Sequence, residues 1–267
     1  MDYTARYGLE FNPFIKNSKE LFINTTESKE VGIRLKYLLN TKGFGLLTGS
    51  PGKGKTTIVR NFMSNLNSSL YKVIYTSLST IAANEFYKSL ALNLGAIPKF
   101  RKMDNLKLIQ DEINRLSIEK HKTPVIILDE ADSMNYSILN DLKIIFNFDM
   151  DSKDRAVVLL VGLPRINNTL RLSVHEPLKQ RIIINYNLEG LTKEEAKNYI
   201  IDKIKFAGCK QNIFDEQAIE AITNASDGTM RIINKICNNC FLIGNSLKSD
   251  IITSEIVMKA INESELA

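Results

Sequence analysis

The chain has 267 residues, of which 44% are hydrophobic and 24% charged, an ordinary globular composition that excludes disordered and fibrous proteins. Its longest apolar run, residues 156–163, is far shorter than the roughly 20 residues that span a bilayer, and the first residues lack a secretory leader pattern, so we expect no membrane segment. Three cysteines cannot form a disulfide framework, so we expect a reducing, cytoplasmic setting. The net charge is +5.

From the N-terminus, an aromatic segment precedes an amphipathic helix predicted over residues 27–40. Strands and helices then alternate. Apolar runs predict strands over residues 44–48, 72–78, 124–129, 156–162 and 182–188. Helical periodicity predicts helices over residues 56–66, 80–94, 105–119, 137–146 and 165–170. This alternation predicts a parallel sheet of five strands, covered by helices on both faces.

After residue 188 the pattern is helical only. Helices are predicted over residues 193–206, 215–224, 230–243 and 254–262. Thr192 and Glu195 form a capping box for the first of them. Cys237 and Cys240 carry no second ligand pair and are interpreted as small core residues. We therefore predict an entry segment and helix over residues 1–42, an α/β domain over 43–189 and a helical domain over 190–267.

Residues 49–56, GSPGKGKT, match the phosphate-loop pattern directly after a predicted strand. Their backbone N–H groups can surround phosphate oxygens, Lys55 can reach the β- and γ-phosphates, and Thr56 can hold Mg²⁺. A glycine turn without a ligand is the alternative, but it does not require all eight positions. We predict a nucleoside triphosphate site made by Gly49, Ser50, Pro51, Gly52, Lys53, Gly54, Lys55, Thr56 and Thr57.

Two adjacent carboxylates, Asp129 and Glu130, follow the apolar run that ends at residue 128. Ligands bind at this edge of a parallel sheet, so Asp129 can complete the Mg²⁺ site and Glu130 can polarise an attacking water. Nearby Asp132 is interpreted as a helix cap rather than a ligand. Together with the phosphate loop, the pair predicts hydrolysis of the triphosphate.

The excess of basic over acidic residues lies within the first 190 positions. Its densest cluster contains Lys99, Arg101 and Lys102, with Phe100 between them. Such a cluster suits the backbone of a nucleic acid. A solvated loop explains the same composition equally well.

Two further arginines indicate the class of nucleotide-binding protein. GTPases should carry an N-K-x-D base-reading motif, which the sequence lacks, whereas Arg181 stands just before the fifth predicted strand and Arg231 opens a helix of the helical domain. This layout resembles the AAA+ ATPases. The resemblance implies a three-layer αβα domain with a helical lid, Arg181 as a finger that reaches a neighbouring subunit's γ-phosphate, and Arg231 as a lid arginine at the phosphates. Arg165 and Arg171 are reserve fingers. An arginine finger contributes roughly 10³–10⁵ in rate, so we expect slow hydrolysis by a lone subunit.

Within the AAA+ proteins, almost the whole chain resembles the ExeA-like ATPases and the transposition helper ATPases of the IstB, TniB, MuB and TnsC type. The resemblance rests on the following strings: Tyr7 with Phe11-Asn12-Pro13-Phe14, the phosphate loop, Asp129-Glu130-Ala131, Val161-Gly162-Leu163-Pro164, Leu178-Lys179-Gln180-Arg181-Ile182 and Gly228-Thr229-Met230-Arg231-Ile232-Ile233-Asn234. It implies ATP, rather than GTP, with Mg²⁺, a homo-oligomeric ring or filament on double-stranded DNA, and a transposase as partner. The chain departs from many AAA+ proteins at the end of the fourth predicted strand, where it has Gly162-Leu163-Pro164 and those proteins carry a polar residue that positions water.

Two other functions stay open. The first is a nucleotide switch that serves a secretion or defence complex through protein contacts, for which DNA would not affect ATP turnover. The second is a helicase or clamp loader, whose compact AAA+ core would have a similar sequence pattern.

Overall fold

The computed structural model describes residues 3–77 and 82–265, and this part of the chain contains one parallel sheet of five strands. The strands lie in the order β2-β3-β4-β1-β5. Their bounds are β1 Gly43–Gly49, β2 Tyr71–Thr76, β3 Thr123–Leu128, β4 Val157–Gly162 and β5 Ile182–Leu188. Each neighbouring pair is parallel, as the alternation of strands and helices predicted. The predicted fold class is confirmed.

Burial explains the sequence of each strand. The central strands β1, β3 and β4 are buried along almost their whole length, which is why they consist of continuous apolar runs. The edge strands β2 and β5 include exposed residues among the buried ones. Within the described residues β2 ends at Thr76, and Leu78, which was predicted to end it, lies outside them.

The helices occur close to their predicted positions. They are α1 Tyr3–Arg6, α2 Thr26–Thr41, α3 Lys55–Ser64, α4 Ala83–Leu94, α5 Lys102–Asn114, α6 Tyr136–Ile145, α7 Ile166–Leu170, α8 Glu176–Gln180, α9 Lys193–Phe206, α10 Glu216–Ser226, α11 Met230–Ser246 and α12 Ser254–Glu265. Helix α5 continues as a π-helical turn, Arg115–Glu119. The first two residues of the helix predicted over 80–94 lie outside the described part of the chain. Helices α1 and α8 were not predicted.

The chain separates into two compact units. The α/β unit contains residues 28–50 and 55–188, with the sheet and its flanking helices. Its core includes an edge-to-face pair of Phe44 on β1 and Phe146 after α6. The helical unit contains residues 189–267, the N-terminal segment up to residue 27, and the loop tip at residues 51–54. The sequence pattern did not predict that the N-terminal segment packs with the C-terminal helices.

Aromatic rings hold the N-terminal segment in the helical unit. The rings of Tyr7 and Phe14 lie 5.2 and 5.8 Å from that of Phe241 on α11. The Asn12 amide donates to the Tyr3 hydroxyl at 2.9 Å and to the Asn238 side chain at 2.8 Å, so its polar atoms are satisfied although it is buried. The aromatic string is therefore part of a core formed with distant helices.

Two sequence predictions for the helical unit are confirmed. The Thr192 hydroxyl and the Glu195 carboxylate form the reciprocal bonds of a capping box at the start of α9. Cys237 and Cys240 are free and fully buried on α11, and burial raises the pKa of both thiols. Both are therefore inert core residues. In the part of the chain that is described, no helix has the length and apolar character that crossing a membrane requires.

Candidate active site

The loop between β1 and α3 has a backbone conformation that glycine permits. Gly52 and Gly54 have φ angles of +79° and +96°, which residues with a Cβ rarely adopt. The chain then enters α3 at Lys55. The first N–H groups of a helix have no intrahelical acceptor and lie at the positive end of its dipole. They are therefore available to an anion such as a phosphate group.

Lys55 lies along the part of this loop that belongs to the α/β unit. Its Nζ donates to the carbonyl oxygens of Gly49, at 2.6 Å, and Ser50, at 3.0 Å. These bonds place the Lys55 ammonium, an N–H donor group that suits phosphate oxygens, beside the loop. Thr56 follows it with an exposed side chain.

Asp129 meets Thr56 at the C-terminal edge of the sheet. Its Oδ2 lies 3.4 Å from the Thr56 hydroxyl oxygen, and its Oδ1 accepts the Glu130 backbone N–H at 2.9 Å. Carboxylate and hydroxyl oxygens are ligands that suit Mg²⁺. Among the described residues, no group of three or more His, Cys, Asp or Glu side chains could hold a metal alone. The donors fit a Mg²⁺ ion that takes most of its ligands from water and phosphate oxygens.

Glu130 has a backbone conformation that is unusual for its residue type. Its φ angle is +56°, in the left-handed region, and its side chain is exposed. A non-glycine residue in this region costs roughly 1–3 kcal/mol, and such residues cluster at functional sites. The strain lies at the residue predicted to polarise water.

Asp132 does not cap a helix, and that prediction was wrong. It lies in a short 3-10 helix, Ala131–Ser133, and Asn135 is the residue that precedes α6. The carboxylate, only 4% exposed, accepts the Leu163 N–H at 2.9 Å and the Arg165 Nε–H at 2.7 Å. These bonds tie the turn after β3 to the chain that follows β4.

Asp132 also accounts for the glycine at the end of β4. A Cβ at Gly162 would lie 2.7 Å from Asp132 Oδ1 and 3.0 Å from its backbone nitrogen. Gly162, one of the three residues where the sequence lacks a polar water-positioning side chain, therefore has no room for a side chain while Asp132 is in place.

Tyr75 was not predicted as a site residue, and its hydroxyl donates to Asp129 Oδ2 at 2.7 Å. Tyr75 lies on β2, level with Ile127 on β3, so both residues are close to the same edge of the sheet. Burial, followed by the bond to Asp129, raises the pKa of Tyr75 to about 12. The phenol therefore stays protonated at neutral pH. Its position one residue before the end of a strand was the available signal.

The loop tip contacts the turn between α10 and α11 within the helical unit. Lys53 is 8% exposed, and its ammonium donates to the Asp227 carbonyl and lies 3.7 Å from the Asp227 carboxylate. The Arg231 N–H donates to the Gly52 carbonyl at 3.4 Å. A Cβ at Gly52 would lie 2.7 Å from the Arg231 Cβ, so glycine allows this close approach. Arg231 therefore lies at the loop tip, and the Lys53 ammonium already donates to a backbone carbonyl of the protein.

Arg181 makes its contacts around the end of α6. Its guanidinium donates to the carbonyl oxygens of Lys143, at 3.0 Å, and Phe146, at 2.9 Å. It also pairs with Asp151 at 3.0 Å and Asp154 at 3.5 Å. The side chain is 17% exposed, so this predicted finger is held within its own α/β unit.

The two reserve arginines differ from each other. The Arg165 guanidinium is bound by the buried Asp132. Arg171 follows α7 with an exposed side chain, and within residues 3–77 and 82–265 its guanidinium has no ion pair or hydrogen bond.

The basic cluster lies on a loop between α4 and α5. Phe100 is 86% exposed, and Lys99 and Arg101 on either side are exposed as well. Lys102 is less available to a nucleic acid because its ammonium pairs with the Asp141 carboxylate at 2.5 Å. The fully buried Asn105 side chain accepts the Lys99 N–H at 2.7 Å and donates to the Lys99 carbonyl at 2.8 Å. Two buried hydrogen bonds therefore fix a loop whose tip exposes an aromatic ring.

Comparison with known proteins shows which families this site resembles. A family model described as an AAA domain matches residues 38–170, which include the phosphate loop, Asp129 and Glu130. The chain is 29% identical over 246 residues to the general secretion pathway protein A of Aeromonas hydrophila, and 28% identical over 223 residues to the Holliday junction branch migration complex subunit RuvB of Prosthecochloris aestuarii. These alignments cover 90% and 83% of this chain.

The chain spans 44% of the length of the secretion protein and 58% of that of RuvB. Among solved structures, the Cdc6p protein of Pyrobaculum aerophilum superposes with a TM-score of 0.73 at 18% sequence identity. That superposition covers 94% of this chain and 70% of the other. At such an identity the likeness establishes the fold, which is the P-loop AAA+ fold.

Proposed function

We propose that this chain, whose residues 38–170 match a model described as an AAA domain, is an ATP-hydrolysing AAA+ protein that assembles on duplex DNA and assists a transposase. The proposed hydrolysis of ATP rests on one observation: Thr56, Asp129 and Glu130 lie close together at one edge of the sheet. An oxygen-donor pair beside a phosphate loop, followed by a second carboxylate, is the arrangement that triphosphate hydrolysis needs.

Each residue of the site has a distinct task in this proposal. The N–H groups at the start of α3 and the Lys55 ammonium hold the phosphates in place. Thr56 and Asp129 hold Mg²⁺, which when bound neutralises charge on the β- and γ-phosphate oxygens. Glu130 orients the attacking water and accepts a proton from it. Arg231 is the lid arginine at the phosphates in this proposal, the role that the AAA+ resemblance assigns to it.

In this proposal, assembly of subunits brings one more positive charge to the γ-phosphate, the arginine finger of a neighbouring subunit. Arg181 is the proposed finger because it stands directly before β5, the position that the AAA+ resemblance assigns. Its four contacts within the subunit must then be released on assembly. Arg171, which is exposed, is the competing candidate. On either assignment, turnover depends on protein concentration.

The loop between α4 and α5 is the proposed DNA contact. Lys99 and Arg101 offer cations to phosphates, and Phe100 offers an exposed ring between them. Apolar side chains flanked by cations are a common way to enter a minor groove. A relative that belongs to a Holliday junction branch migration complex supports DNA as the partner. The transposase rests on the motif resemblance alone.

A second candidate is a nucleotide switch in a secretion or defence complex, which the likeness to general secretion pathway protein A favours. Phosphate release from Mg·ATP, measured over a series of protein concentrations with and without duplex DNA, separates the two. The transposition-helper proposal predicts turnover per subunit that rises with concentration and responds to DNA. Turnover that never responds to DNA, with no duplex bound at low salt, would contradict the DNA part and favour the switch.

A double variant of the α4–α5 loop tests directly whether this loop binds DNA. Lys99→Ala with Arg101→Ala should weaken binding to every duplex sequence and make the salt dependence less steep, by about one unit of log–log slope for each phosphate that the loop no longer neutralises. Lys197→Ala with Lys205→Ala, on exposed positions of α9, is the matched control for net charge. Equally weakened binding in both double variants would show that the α4–α5 loop does not bind the duplex.

A further inference from the structure

Tyr75 is a polar group in the candidate site to which the proposed function gives no task. Its hydroxyl donates to Asp129 Oδ2 at 2.7 Å, and the same oxygen lies 3.4 Å from the Thr56 hydroxyl. The other oxygen, Oδ1, accepts the Glu130 N–H. Each oxygen of the Asp129 carboxylate therefore accepts a hydrogen bond, Oδ2 from the Tyr75 hydroxyl and Oδ1 from the Glu130 N–H.

The backbone makes this contact possible. The Asp129 N–H donates to the Thr76 carbonyl at 2.9 Å, which extends the pairing of β2 and β3 by one residue past the end of β3. Tyr75, on the neighbouring strand, is 41% exposed and reaches the Asp129 carboxylate with its hydroxyl. The bond therefore joins two adjacent strands at the position where the proposed metal ligand leaves the sheet.

We propose that Tyr75 is a positioning residue for Mg²⁺, which fixes the Asp129 carboxylate in the orientation that faces Thr56. This inference rests on the proposed nucleotide-hydrolysing function. A hydroxyl bound to a carboxylate is a charge-assisted bond, so it restricts rotation of the carboxylate more strongly than a neutral bond does. Partners that orient a metal ligand change metal affinity by about 10–100-fold when they are removed.

The test measures the binding of Mg²⁺ separately from the binding of nucleotide. MgCl₂ is titrated into the full chain with a fluorescent ATP analogue, after a first measurement of analogue binding in EDTA. Tyr75→Phe should raise the Mg²⁺ concentration at half-saturation about tenfold and leave binding in EDTA unchanged. Tyr71→Phe, the same change on the same strand, should behave as the wild type does. In Asp129→Asn, adding Tyr75→Phe should produce no further shift.

Three results would overturn the inference. Equal Mg²⁺ half-saturation in Tyr75→Phe and wild type would show that the hydroxyl does not position the ligand. An equal decrease in analogue binding with and without Mg²⁺ would indicate a general structural role. A further shift in the Asp129→Asn background would show that Tyr75 acts through another group. If the wild type itself binds no analogue, the proposed function fails first, and the inference falls with it.

Discussion

Two lysines of the phosphate loop, separated by one residue, have different surroundings. Lys55 donates to the Gly49 and Ser50 carbonyls at the start of α3, whereas Lys53 is buried and donates to Asp227. Lys53→Met should therefore keep nucleotide affinity within about threefold of the wild type and lower the melting temperature by several degrees. The Asp227 carbonyl would lose its partner, which costs about 1–3 kcal/mol, and each kcal/mol shifts the melting temperature of a chain of this size by about 2–4 °C.

The comparison for that prediction is Lys55→Ala, which should abolish nucleotide binding without a similar decrease in stability. Fluorescence titration and thermal unfolding of both variants provide the measurement. An affinity at least about tenfold weaker in Lys53→Met would mean that Lys53 contacts the phosphates, as the motif alone predicted.

Glu130 supplies a second prediction at the residue scale. Glu130→Gln keeps the shape of the side chain and removes its ability to accept a proton. Nucleotide binding should persist, turnover should fall about 10²–10⁴-fold, and the assembled, ATP-bound state should last longer. Phosphate release and size-exclusion chromatography with ATP measure these effects. Turnover close to that of the wild type would exclude Glu130 as the base.

At the scale of elements, the turn after β3 and the end of β4 are joined by a single carboxylate. Asp132→Ala removes the acceptor of the Leu163 N–H and of Arg165, and it leaves the part-buried Leu163 N–H without that partner. The free energy of unfolding should fall by about 1–3 kcal/mol in urea denaturation. Asp104→Ala, an exposed carboxylate on α5, is the matched control and should change it little. Equal stability in the two variants would contradict the structural role assigned to Asp132.

The elements also show what can be derived from sequence. The central strands were predictable because burial on both faces makes each of them a continuous apolar run. The phosphate loop was predictable because its contacts are local and demand glycine at fixed positions. The roles of Asp132 and Tyr75 were not, since their partners Leu163 and Asp129 lie 31 and 54 positions away along the chain. Tertiary contacts of this kind leave no periodic signal in a single sequence.

At the scale of the whole molecule, the question is which arginine completes a neighbour's site. Arg181→Ala should cut turnover at high protein concentration and spare nucleotide binding, if Arg181 is the finger. It should also lower the melting temperature, because the Lys143 and Phe146 carbonyls lose a donor. Arg171→Ala removes no such hydrogen bonds and should leave the melting temperature close to that of the wild type, so it is the variant for comparison. A fall in turnover in Arg171→Ala alone would assign the finger to Arg171 and contradict the proposed role of Arg181.

The organisation of the chain also contains a feature that the motifs did not reveal. The N-terminal aromatic string packs against Phe241, and residues 3–27 and 189–265 belong to one helical unit that also includes the loop tip. The sequence predicted a separate entry segment because aromatic residues in an irregular segment do not indicate their partner. The helical unit therefore depends on both ends of the chain.

The central claim is that the chain binds a triphosphate together with Mg²⁺ through Lys55, Thr56 and Asp129. Titration of the folded wild-type chain with a fluorescent ATP analogue, in Mg²⁺ and in EDTA, tests it most directly. We expect saturable binding of one nucleotide per chain, tighter with Mg²⁺ and abolished in Lys55→Ala. A folded sample that binds no nucleotide under either condition would contradict it.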